Sequence, residues 1–431
     1  CRRCVATCKN VQNIGAIDCI GRGFESCIST TYDHSLNDVN CTFCGQCIEA
    51  CPTGALHEKE NINDVWAKLK DPDTFVVVQT APSVRVTLGE EFGMEIGTNV
   101  TGKMVSALKH LGFDKVFDTN TGADFTIMEE ATEFVKRFKE NDNLPMTTSC
   151  CPGWVRFAEM EYPENLPHLS SCKSPHQMFG AIIKSYYAEK NNIDPSKIYV
   201  VSVMPCIAKK YESKREEMEV DGIRDVDAVI TTRELSRMIK QANIEFDKLE
   251  DDTFDNPMGE ATGAAAIFGV TGGVMEAALR TAYELITGEE LQKLEFEEIR
   301  GEKGIKKATV KIGDKDVKVA VAHGLKNARK IMEEIKNGTA DYSFVEVMAC
   351  PGGCIMGGGQ PIKNSKIRMT TDVEAKRAAA MYSIDERSTI RKSHENPVLK
   401  QIYKDYIGKP GEHKAHELLH THYTPMEEYR I

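Results

Sequence analysis

One run of four cysteines constrains this chain more than any other feature of its sequence. The residues are Cys41, Cys44, Cys47 and Cys51, and Pro52 follows the last of them, which gives the spacing C-x2-C-x2-C-x3-C-P. This close spacing lets three thiolates of one loop surround a corner of a [4Fe–4S] cube, while the fourth reaches the other cluster of a pair. Zinc sites do not need this order of spacings. The run therefore predicts paired [4Fe–4S] clusters.

An incomplete copy of the same run stands at the start of the sequence. It keeps the x2 and x3 spacings but lacks the first cysteine, and the simplest explanation is that the sequence begins inside the motif. The two expected ligand sets are Cys8, Cys41, Cys44 and Cys47 for one cluster, and Cys1, Cys4 and Cys51 with one further ligand for the other. Two zinc knuckles are the less favoured alternative.

The number of cysteines also indicates metal chemistry. The chain has 15 cysteines, and it does not open with the charged start and apolar stretch of a secretory signal. In a reducing compartment, cysteines serve as metal ligands or catalytic thiols more often than as disulfides. Cys19 and Cys27 lie between the two runs. Free thiols are the preferred interpretation for this pair, and a further metal site is the minor one.

Charge and hydropathy exclude several classes of partner. The formal net charge is -11, which argues against binding to nucleic acid or to an anionic membrane, because both favour a basic face. No apolar run reaches the roughly 18 residues that a membrane span needs. We therefore expect a cytoplasmic protein without a nucleic-acid partner and without a membrane span.

Hydrophobic patterning divides the 431 residues into three parts. Residues 1–62 are cysteine-rich and are expected to form a small α+β ferredoxin-like domain, since metal clusters can replace a hydrophobic core. In residues 63–365 strand patterns alternate with helical ones, which predicts an α/β domain with mixed or largely parallel sheets. Residues 366–431 are charged and His-rich, and their pattern is helical.

The individual elements follow from runs of period 2 and period 3.6. The predicted strands are Thr74–Gln79, Lys115–Asp118, Ile198–Met204, Ala228–Thr231, Val317–Ala322 and Phe344–Met348. The predicted helices include Met104–Leu111, Met128–Phe138, Glu234–Ala242 and Asn327–Lys336. Residues 308–322, interrupted by Gly313 and Asp314, predict a hairpin.

Further cysteines follow three of the extended segments. They are Cys150 and Cys151 after residues 145–149, Cys206 after residues 198–204, and Cys350 and Cys354 after residues 344–348. In α/β sheets, ligands collect at the carboxyl ends of strands, so we expect these thiols to converge on one buried metal cluster. Neighbouring side chains of an extended segment point in opposite directions. One thiol of the pair at 150 and 151 can therefore ligate while the other stays free for different chemistry, such as moving protons.

Glycines surround the last of these cysteines, at positions 352, 353 and 357–359. Because glycine lacks a side chain, a bulky cofactor can approach bare backbone there. A tight loop and a phosphate cradle are the alternatives.

A helix over residues 126–138 carries charged residues beside an apolar stripe. The stripe consists of Ile127, Ala131, Phe134, Val135 and Phe138. Glu130 lies at its edge, and Glu133 and Arg137 lie farther round the helix. An acid chain running outward from the buried edge could carry protons. On periodicity alone, a solvated face with a Glu133–Arg137 ion pair is the favoured interpretation.

Three segments that contain the strand-end cysteines resemble the signature segments of iron–iron hydrogenases. They are Thr148–Trp154 (TSCCPGW), Met204–Cys206 (MPC) and Met348–Cys354 (MACPGGC). The resemblance runs through the whole sequence, and it includes Ala81–Ser83 (APS), Ile127–Glu133 (IMEEATE) and Arg391–Asn396 (RKSHEN). Residues 366–431 look like the small subunit that some relatives carry as a separate chain.

The resemblance implies an enzyme that catalyses 2H+ + 2e− ⇌ H2 at an H-cluster. This cofactor is a [4Fe–4S] cube joined to a diiron unit that bears CO, cyanide and an azadithiolate bridge. The implied ligands of the cube are Cys151, Cys206, Cys350 and Cys354, with Cys354 bridging to the diiron unit. Electrons would pass through the two N-terminal [4Fe–4S] clusters.

The resemblance also implies roles for residues around the cofactor. The implied proton route consists of Cys150, as the free thiol, with Glu130, Ser170, Glu133 and Arg137. The residues implied to surround the diiron unit are Ala81, Pro82, Ser83, Met204, Lys209, Phe268 and Met348. Of these, Ser83, Lys209 and the Pro82 backbone match groups that hydrogen-bond the cyanides.

Partners and alternatives follow from the same family. The implied partners are ferredoxin or NAD(P)-linked redox partner subunits, and the hydrogenase maturation proteins that build the diiron unit. Two alternatives on the same scaffold are a non-catalytic Fe–S assembly protein and an H2-sensing homologue, and a third is a multi-cluster electron carrier. The first two lose the free thiol or alter the proton route, whereas Cys150, Glu130 and Glu133 are all present here.

Three positions depart from the family pattern. Met356 stands where a smaller residue is common, and His176 where many relatives have glutamine. Cys172 stands near Ser170, where alanine is frequent. A passive buried cysteine is the favoured interpretation of Cys172, over a reversible protective bond with Cys150.

Overall fold

The computed structural model describes residues 1–296, 299–300, 304–313 and 315–426. Its strands are β1 (Asp18–Ile20), β2 (Cys27–Ser29), β3 (Phe75–Thr80), β4 (Lys115–Asp118), β5 (Met146–Thr147), β6 (Ile198–Met204), β7 (Glu219–Val220), β8 (Ile223–Arg224), β9 (Ala228–Thr231), β10 (Ile305–Ile312), β11 (Lys315–His323) and β12 (Phe344–Met348).

The α-helices are α1 (Arg3–Ala6), α2 (Gln46–Glu49), α3 (Ile62–Leu69), α4 (Thr101–Leu111), α5 (Thr119–Glu140), α6 (Pro152–Glu161), α7 (Pro175–Ile182), α8 (Ala188–Lys190), α9 (Ala208–Glu212), α10 (Thr232–Gln241), α11 (Gly263–Ala266), α12 (Gly273–Thr287), α13 (Leu325–Lys336), α14 (Ser365–Thr370), α15 (Val373–Arg387), α16 (Pro397–Ile402) and α17 (His413–Leu419). Wider π-helical turns occupy Thr7–Val11, Ile183–Tyr187 and Tyr403–Ile407. Short 3-10 turns occupy Gly23–Glu25, Thr31–Asp33, Pro82–Val86, Leu88–Phe92, Pro163–His168, Pro195–Lys197, Phe246–Lys248, Ile267–Gly269, Cys354–Met356 and Ser393–Glu395. Among the helices of the described ranges, none combines the length and apolar character that crossing a bilayer requires.

The first large sheet is fully parallel, with strand order β4-β3-β6-β9. Its central strands are continuous apolar runs, as in residues 76–78, which are buried. Helices α4, α7 and α10 pack their apolar side chains into the same core. A parallel sheet covered on its faces needs this kind of strand rather than an alternating one.

The second large sheet is mixed, with strand order β10-β11-β12-β5. β10 and β11 form an antiparallel hairpin, whereas β11, β12 and β5 run parallel. Side chains of β11 alternate between the two faces, so that Val319 packs on the α12 side and Ala320 on the α13 side. The predicted hairpin over residues 308–322 is confirmed, although Asp314 of its turn lies outside the described residues.

The cysteines of the small N-terminal hairpin point away from each other. In the antiparallel pair of β1 and β2, Cys19 lies opposite Ile28, and Cys27 lies opposite Ile20. Directly opposed residues share a face and successive ones alternate, so Cys19 and Cys27 lie on opposite faces. The hairpin therefore favours the free-thiol interpretation of both.

The predicted fold class is confirmed, with small shifts at element ends. The strands predicted with the observed bounds are Lys115–Asp118, Ile198–Met204, Ala228–Thr231 and Phe344–Met348. The helix predicted around residues 126–138 begins earlier, because the Asp118 side chain caps it by accepting from the Asn120 amide. The C-terminal part is helical as predicted, and its buried Arg377 donates to both carboxylate oxygens of Glu90 at 2.8 and 2.7 Å.

A close approach between α5 and α7 generates a prediction. A Cβ added at Gly122 would lie 2.2 Å from the Pro175 carbonyl oxygen and 2.8 Å from the Phe179 Cβ. Because backbone cannot move aside as a flexible side chain can, Gly122→Ala should lower the free energy of unfolding by about 1–3 kcal/mol, measured by denaturant unfolding. Lys136→Ala, at an exposed position of the same helix, should change it by less than about 0.5 kcal/mol. Equal midpoints for Gly122→Ala and the unaltered protein would contradict the close approach.

Candidate metal centre

The cysteines that follow the strands meet between the two large sheets. β5 and β12 are parallel neighbours in one sheet, so the loops after them lie side by side, and Cys206 follows β6 of the other sheet. Burial, followed by the adjacent charge of Cys151, raises the pKa of Cys206 to about 12. Burial likewise raises the pKa of Cys350, and the neighbouring sulfurs of Cys206, Cys151 and Cys354 add to it. Thiols affect one another in this way only when they are close.

A cavity of about 80 Å³ opens between these strand ends. A water molecule needs about 10–15 Å³ measured in the same way, so this cavity is large enough for a group of several atoms. Its lining includes Ala81, Pro82, Ser83, Cys150, Cys151, Met204, Cys206, Lys209, Phe268, Met348 and Cys354. Cys350 lies toward the N-terminal segment instead, with its Sγ 3.9 Å from the Cys44 carbonyl oxygen.

Lys209 brings a positive charge to the cavity. Its Nζ donates to the Cys150 carbonyl oxygen at 3.0 Å and to Glu212 Oε2 at 2.8 Å. Burial opposes ionisation of Glu212, but Lys209 and His176 outweigh it and lower the pKa of this carboxyl to about 2. Burial lowers the pKa of His176 to about 4, so the ring is neutral near pH 7. The cavity therefore carries a fixed ammonium group, which suits anionic ligands.

The chemistry of the donors fits an iron–sulfur group. Thiolate sulfur is the usual protein ligand of Fe–S clusters, and four thiols from three loops converge here. Cys350 is buried, and Cys151, Cys206 and Cys354 keep part of their surface at the cavity. The Ala349 amide donates to Cys151 Sγ at 3.3 Å, a contact that orients and stabilises a ligating thiolate.

The glycines near Cys354 serve protein packing. A Cβ at Gly357 would lie 2.3 Å from the Pro205 carbonyl oxygen, and one at Gly358 would lie 2.6 Å from the Cys44 carbonyl oxygen. The tight-loop alternative therefore describes these positions, rather than the approach of a cofactor to bare backbone. These glycines bring three cysteine-bearing loops into backbone contact.

A second group of thiols lies in the N-terminal segment. Burial, with a contribution from the charge of Cys8, raises the pKa of Cys41 to about 11 and that of Cys47 to about 12. Burial also raises the pKa of Cys44, and neighbouring Cys47 and Cys41 contribute. The sequence predicted that these four thiols would share a cluster. The contact between Cys44 and Cys350 makes this group adjoin the strand-end cysteines.

The other N-terminal thiols have different surroundings. Cys4 packs beside Cys8 and Cys47 in a small apolar cluster, and Cys1 is exposed. Burial raises the pKa of Cys51, but the Leu56 and Thr53 amides outweigh this effect and bring it down to about 7. A thiol with such a pKa is readily available as a thiolate ligand.

The outer carboxylate of α5 is held by three neighbours. Ser170 Oγ donates to Glu133 Oε2 at 2.8 Å, the Ser171 amide donates to the same oxygen at 3.1 Å, and an Arg137 NH2 donates to Oε1 at 2.7 Å. The predicted ion pair is thus confirmed. It is not a solvated face, because the Arg137 and Glu133 side chains are only 15% and 14% exposed.

The inner carboxyl of α5 is fully buried. Glu130 has no exposed surface. Its oxygens accept no hydrogen bond within 3.5 Å from any residue of the described ranges. Burial, followed by the charge of Glu133, raises its pKa to about 8, against small opposing effects of the nearby Ser170 hydroxyl and Ser149 amide. Glu130 also raises the pKa of Cys150, after burial, so it lies near Cys150 as well as near Glu133.

The sequence analysis missed two acidic residues at this site, Glu129 and Glu212. Glu129 accepts from the Tyr403 hydroxyl and, at 2.7 Å, from the Gly411 amide, and it meets His420 Nε2 at 3.0 Å. These partners lie 274 to 291 residues away in the chain, so no local pattern reveals them. Glu212 was also missed, although its position three residues after Lys209 on a helix was a usable signal.

Comparison with known families agrees with this arrangement. Residues 74–358 match the family described as "Iron only hydrogenase large subunit, C-terminal domain". Residues 371–426 match "Iron hydrogenase small subunit", and residues 36–57 match "4Fe-4S binding domain".

Individual relatives and a solved structure are similar over most of the chain. The "NADP-reducing hydrogenase subunit HndD" of Solidesulfovibrio fructosivorans is 52% identical over 98% of this chain and 72% of its own length. "Iron hydrogenase 1" of Clostridium pasteurianum is 50% identical over 98% of this chain and 74% of its own length. The structure of [FeFe]-hydrogenase HydA1 from Chlamydomonas reinhardtii matches with a TM-score of 0.76 and 43% identity, covering 85% of this chain and 99% of that one.

Buried thiols between two α/β sheets, joined to an N-terminal cysteine run, define the chain as an iron–sulfur oxidoreductase. The extent and identity of the matches show that it belongs to the iron–iron hydrogenase family. It is an oxidoreductase that acts on H2.

The raised pKa of Glu130 generates a prediction for stability against pH. The folded protein keeps a proton on this carboxyl between its ordinary pKa of 4.5 and about 8, whereas the unfolded chain releases it. The free energy of unfolding therefore falls as pH rises through this window, by up to about 1.4 kcal/mol per pH unit. Glu130→Gln removes the titrating group, so it should lose less stability than the unaltered protein between pH 6 and pH 8, measured by denaturant unfolding. Glu140→Gln, exposed on the same helix, should follow the unaltered protein, and an equal fall in both variants would contradict the assignment.

Proposed function

We propose that this chain interconverts protons, electrons and H2 (2H+ + 2e− ⇌ H2) at an H-cluster, whose bound diiron unit and cube supply the two-electron redox chemistry. The proposed ligands of the cube are Cys151, Cys206, Cys350 and Cys354. The observation that carries the proposal is the fifth thiol, Cys150, which lines the same cavity and interacts with the buried Glu130. Dedicated maturation proteins are needed to supply the diiron unit.

Two [4Fe–4S] clusters are proposed to relay the electrons. The proposed ligand sets are Cys8, Cys41, Cys44 and Cys47, and Cys1, Cys4 and Cys51 with one further ligand. The first set is supported by the mutual effects of these thiols on one another's pKa. The 3.9 Å separation of Cys350 Sγ from the Cys44 carbonyl oxygen supports a direct path from this set to the strand-end cysteines.

The proposed proton route leads outward along α5. Cys150 exchanges a proton with the cavity and with Glu130, which is mostly protonated near pH 7 and therefore has a proton to give. Ser170 passes the proton by rotation of its hydroxyl, which already donates to Glu133. Arg137 holds Glu133 in place and lies at the partly exposed end of the route.

The remaining cavity residues are proposed to position the diiron unit. Lys209, Ser83 and the Pro82 backbone would hydrogen-bond its cyanides, and the ammonium group of Lys209 offsets their charge. The proposed apolar contacts are Ala81, Met204, Phe268 and Met348. Apolar walls of this kind keep water away from a redox site.

The proposal also covers the domain boundaries, the electron partner and the cellular location of the chain. We divide the chain into a ferredoxin-like domain (residues 1–62), a catalytic domain (63–365) and a small-subunit-like segment (366–431). The physiological electron partner is proposed to be a ferredoxin or an NAD(P)-linked subunit, which the name of the relative from Solidesulfovibrio fructosivorans supports. A cytoplasmic location is proposed because cysteines used as metal ligands suit a reducing compartment, and the chain has 15 cysteines.

Catalysis is favoured over an Fe–S assembly or H2-sensing role on the same scaffold. Those roles need neither a free thiol at the cavity nor an intact acid chain. Here Cys150 lines the cavity, Glu130 is buried beside it, and Glu133 follows one helical turn farther out. A fully buried carboxyl without a hydrogen-bond partner in the described residues has no structural benefit, whereas it suits a proton relay.

The function is tested with the matured protein and a Cys150→Ala variant. Infrared spectra of both proteins should contain metal-bound CO and cyanide stretches. Both proteins should evolve H2 from a reduced mediator. The variant should do so at least about 100-fold more slowly, because it lacks a proton-transfer group. Cys27→Ala removes an exposed thiol outside the site and should leave the rate unchanged. Absence of the infrared bands and of H2 in the matured protein would refute the function; equal rates for Cys150→Ala would refute the relay.

The outer part of the route has its own test. Glu133→Gln keeps the shape of the side chain but removes the carboxyl that exchanges protons, so H2 evolution should fall by about 100-fold or more. The measurement is the rate at saturating reductant, with iron content and infrared bands compared to confirm equal loading. Glu140→Gln, exposed on the same helix, serves as the control. A full rate in Glu133→Gln would remove this residue from the route.

A further inference from the structure

Cys172, Glu133 and His420 come together at the outer end of the proposed proton route. Residues 171–173 and 419–421 pair in antiparallel fashion through backbone hydrogen bonds of 2.7 and 2.8 Å, with Cys172 directly opposite His420. Glu133 reaches the same point from α5, and its Oε2 lies 3.9 Å from Cys172 Sγ. One sulfur, one ring nitrogen and one carboxylate oxygen all lie within 4.8 Å of one another.

His420 is oriented as metal-binding histidines are. Its Nε2 lies 3.0 Å from Glu129 Oε2. Glu129 also accepts from the Tyr403 hydroxyl and the Gly411 amide, so it acts as an acceptor toward the ring, and the tautomer with its proton on Nε2 satisfies this contact. Nδ1 then presents its lone pair, which now faces Ser171 Oγ at 2.8 Å. A carboxylate on the far nitrogen is the usual outer partner of a histidine that binds metal.

The distances are compatible with a zinc-class cation after a small inward movement. Zinc bonds of about 2.0–2.3 Å to oxygen, nitrogen and sulfur place the ligand atoms of a tetrahedral site about 3.3–3.8 Å apart. The observed separations of 3.9 Å and up to 4.8 Å exceed this range by about 1 Å or less. A mixed sulfur, nitrogen and oxygen set suits zinc better than it suits calcium or magnesium, which take oxygen ligands.

The local charge also favours a cation. The carboxyls of Glu129, Glu130 and Glu133 all lie in this part of α5. Glu133 contacts Cys172, Glu129 contacts His420, and the guanidinium of Arg137 pairs with Glu133. A divalent cation would reduce that charge.

We propose that Glu133, Cys172 and His420 bind a zinc-class divalent cation, with water in the fourth position, and that the bound cation blocks proton movement through Glu133. Binding replaces the thiol proton of Cys172, which leaves to solvent, and displaces the Ser171 hydroxyl from Nδ1; no electrons are exchanged. As a ligand, Glu133 no longer accepts a proton from Ser170. The inhibitory part rests on the proposed function, whereas cation binding does not.

Cation binding is tested with the matured full chain and one equivalent of Zn2+ under anaerobic conditions. X-ray absorption at the zinc edge, which iron does not obscure, should detect one sulfur at about 2.3 Å and nitrogen or oxygen ligands at about 2.0–2.2 Å. Cys172→Ala should lose the sulfur contribution, whereas Cys27→Ala, an exposed thiol elsewhere, should retain it. Zinc bound by nitrogen and oxygen alone in the unaltered protein, or an unchanged sulfur contribution in Cys172→Ala, would overturn the site.

Inhibition is tested by H2 evolution at increasing zinc concentration, with each variant compared to its own zinc-free rate. Cys172→Ala and His420→Gln should each raise the half-inhibitory concentration by at least about 10-fold, and Cys27→Ala should not change it. Sulfur-bound zinc that leaves the rate unchanged would refute the inhibitory part. A protein that makes no H2 even without zinc would instead refute the proposed function, and the absorption spectrum would still decide the cation site.

Discussion

The site depends on backbone contacts that hold two sheets together at the carboxyl ends of their strands. β5 has only two residues, yet its pairing with β12 sets the loop of Cys150 and Cys151 beside the loop of Cys354. The other sheet is joined to them where Gly357 meets the backbone of Pro205 with no room for a side chain. Since these contacts involve backbone rather than flexible side chains, they fix the separation of the ligand loops within narrow limits.

Two buried ionisable groups at this junction, Lys209 and Glu130, have opposite surroundings. Lys209 is paired with Glu212 and stays charged, because the ion pair and the Cys150 carbonyl replace the water that burial removes. Glu130 has no such partner in the described residues and stays mostly neutral near pH 7. A fixed ion pair suits a residue that only positions ligands, whereas an unpaired carboxyl with a pKa of about 8 can both give and take protons. Burial of an unpaired carboxyl lowers stability, and this loss occurs at Glu130, where proton movement is proposed.

The sequence was sufficient for most elements and for the gathering of the cysteines, because both depend on local pattern. Continuous apolar runs such as Ile198–Met204 predicted buried parallel strands with correct bounds. The sequence predicted mixed or largely parallel sheets but did not indicate which strands pair in which sheet, since strand pairing is set by packing between distant segments. It also placed Glu130 at the edge of a stripe, whereas this side chain is completely buried in the fold. Hydrophobic periodicity describes one helix in isolation, so it does not show which other elements of the fold pack over that helix.

The C-terminal segment, residues 397–420, contributes to the site through the orientation of α5. Glu129 and Glu130 are consecutive, so their side chains point about 100° apart around the helix. Tyr403, Gly411 and His420 all bind Glu129, and these contacts restrain the rotation of α5, the helix that also carries Glu130. Small movements of this segment would turn both carboxyls together, because a helix rotates as a unit. The orientation of α5, along which the proton route is proposed, therefore depends on residues as far as 291 positions away in the chain.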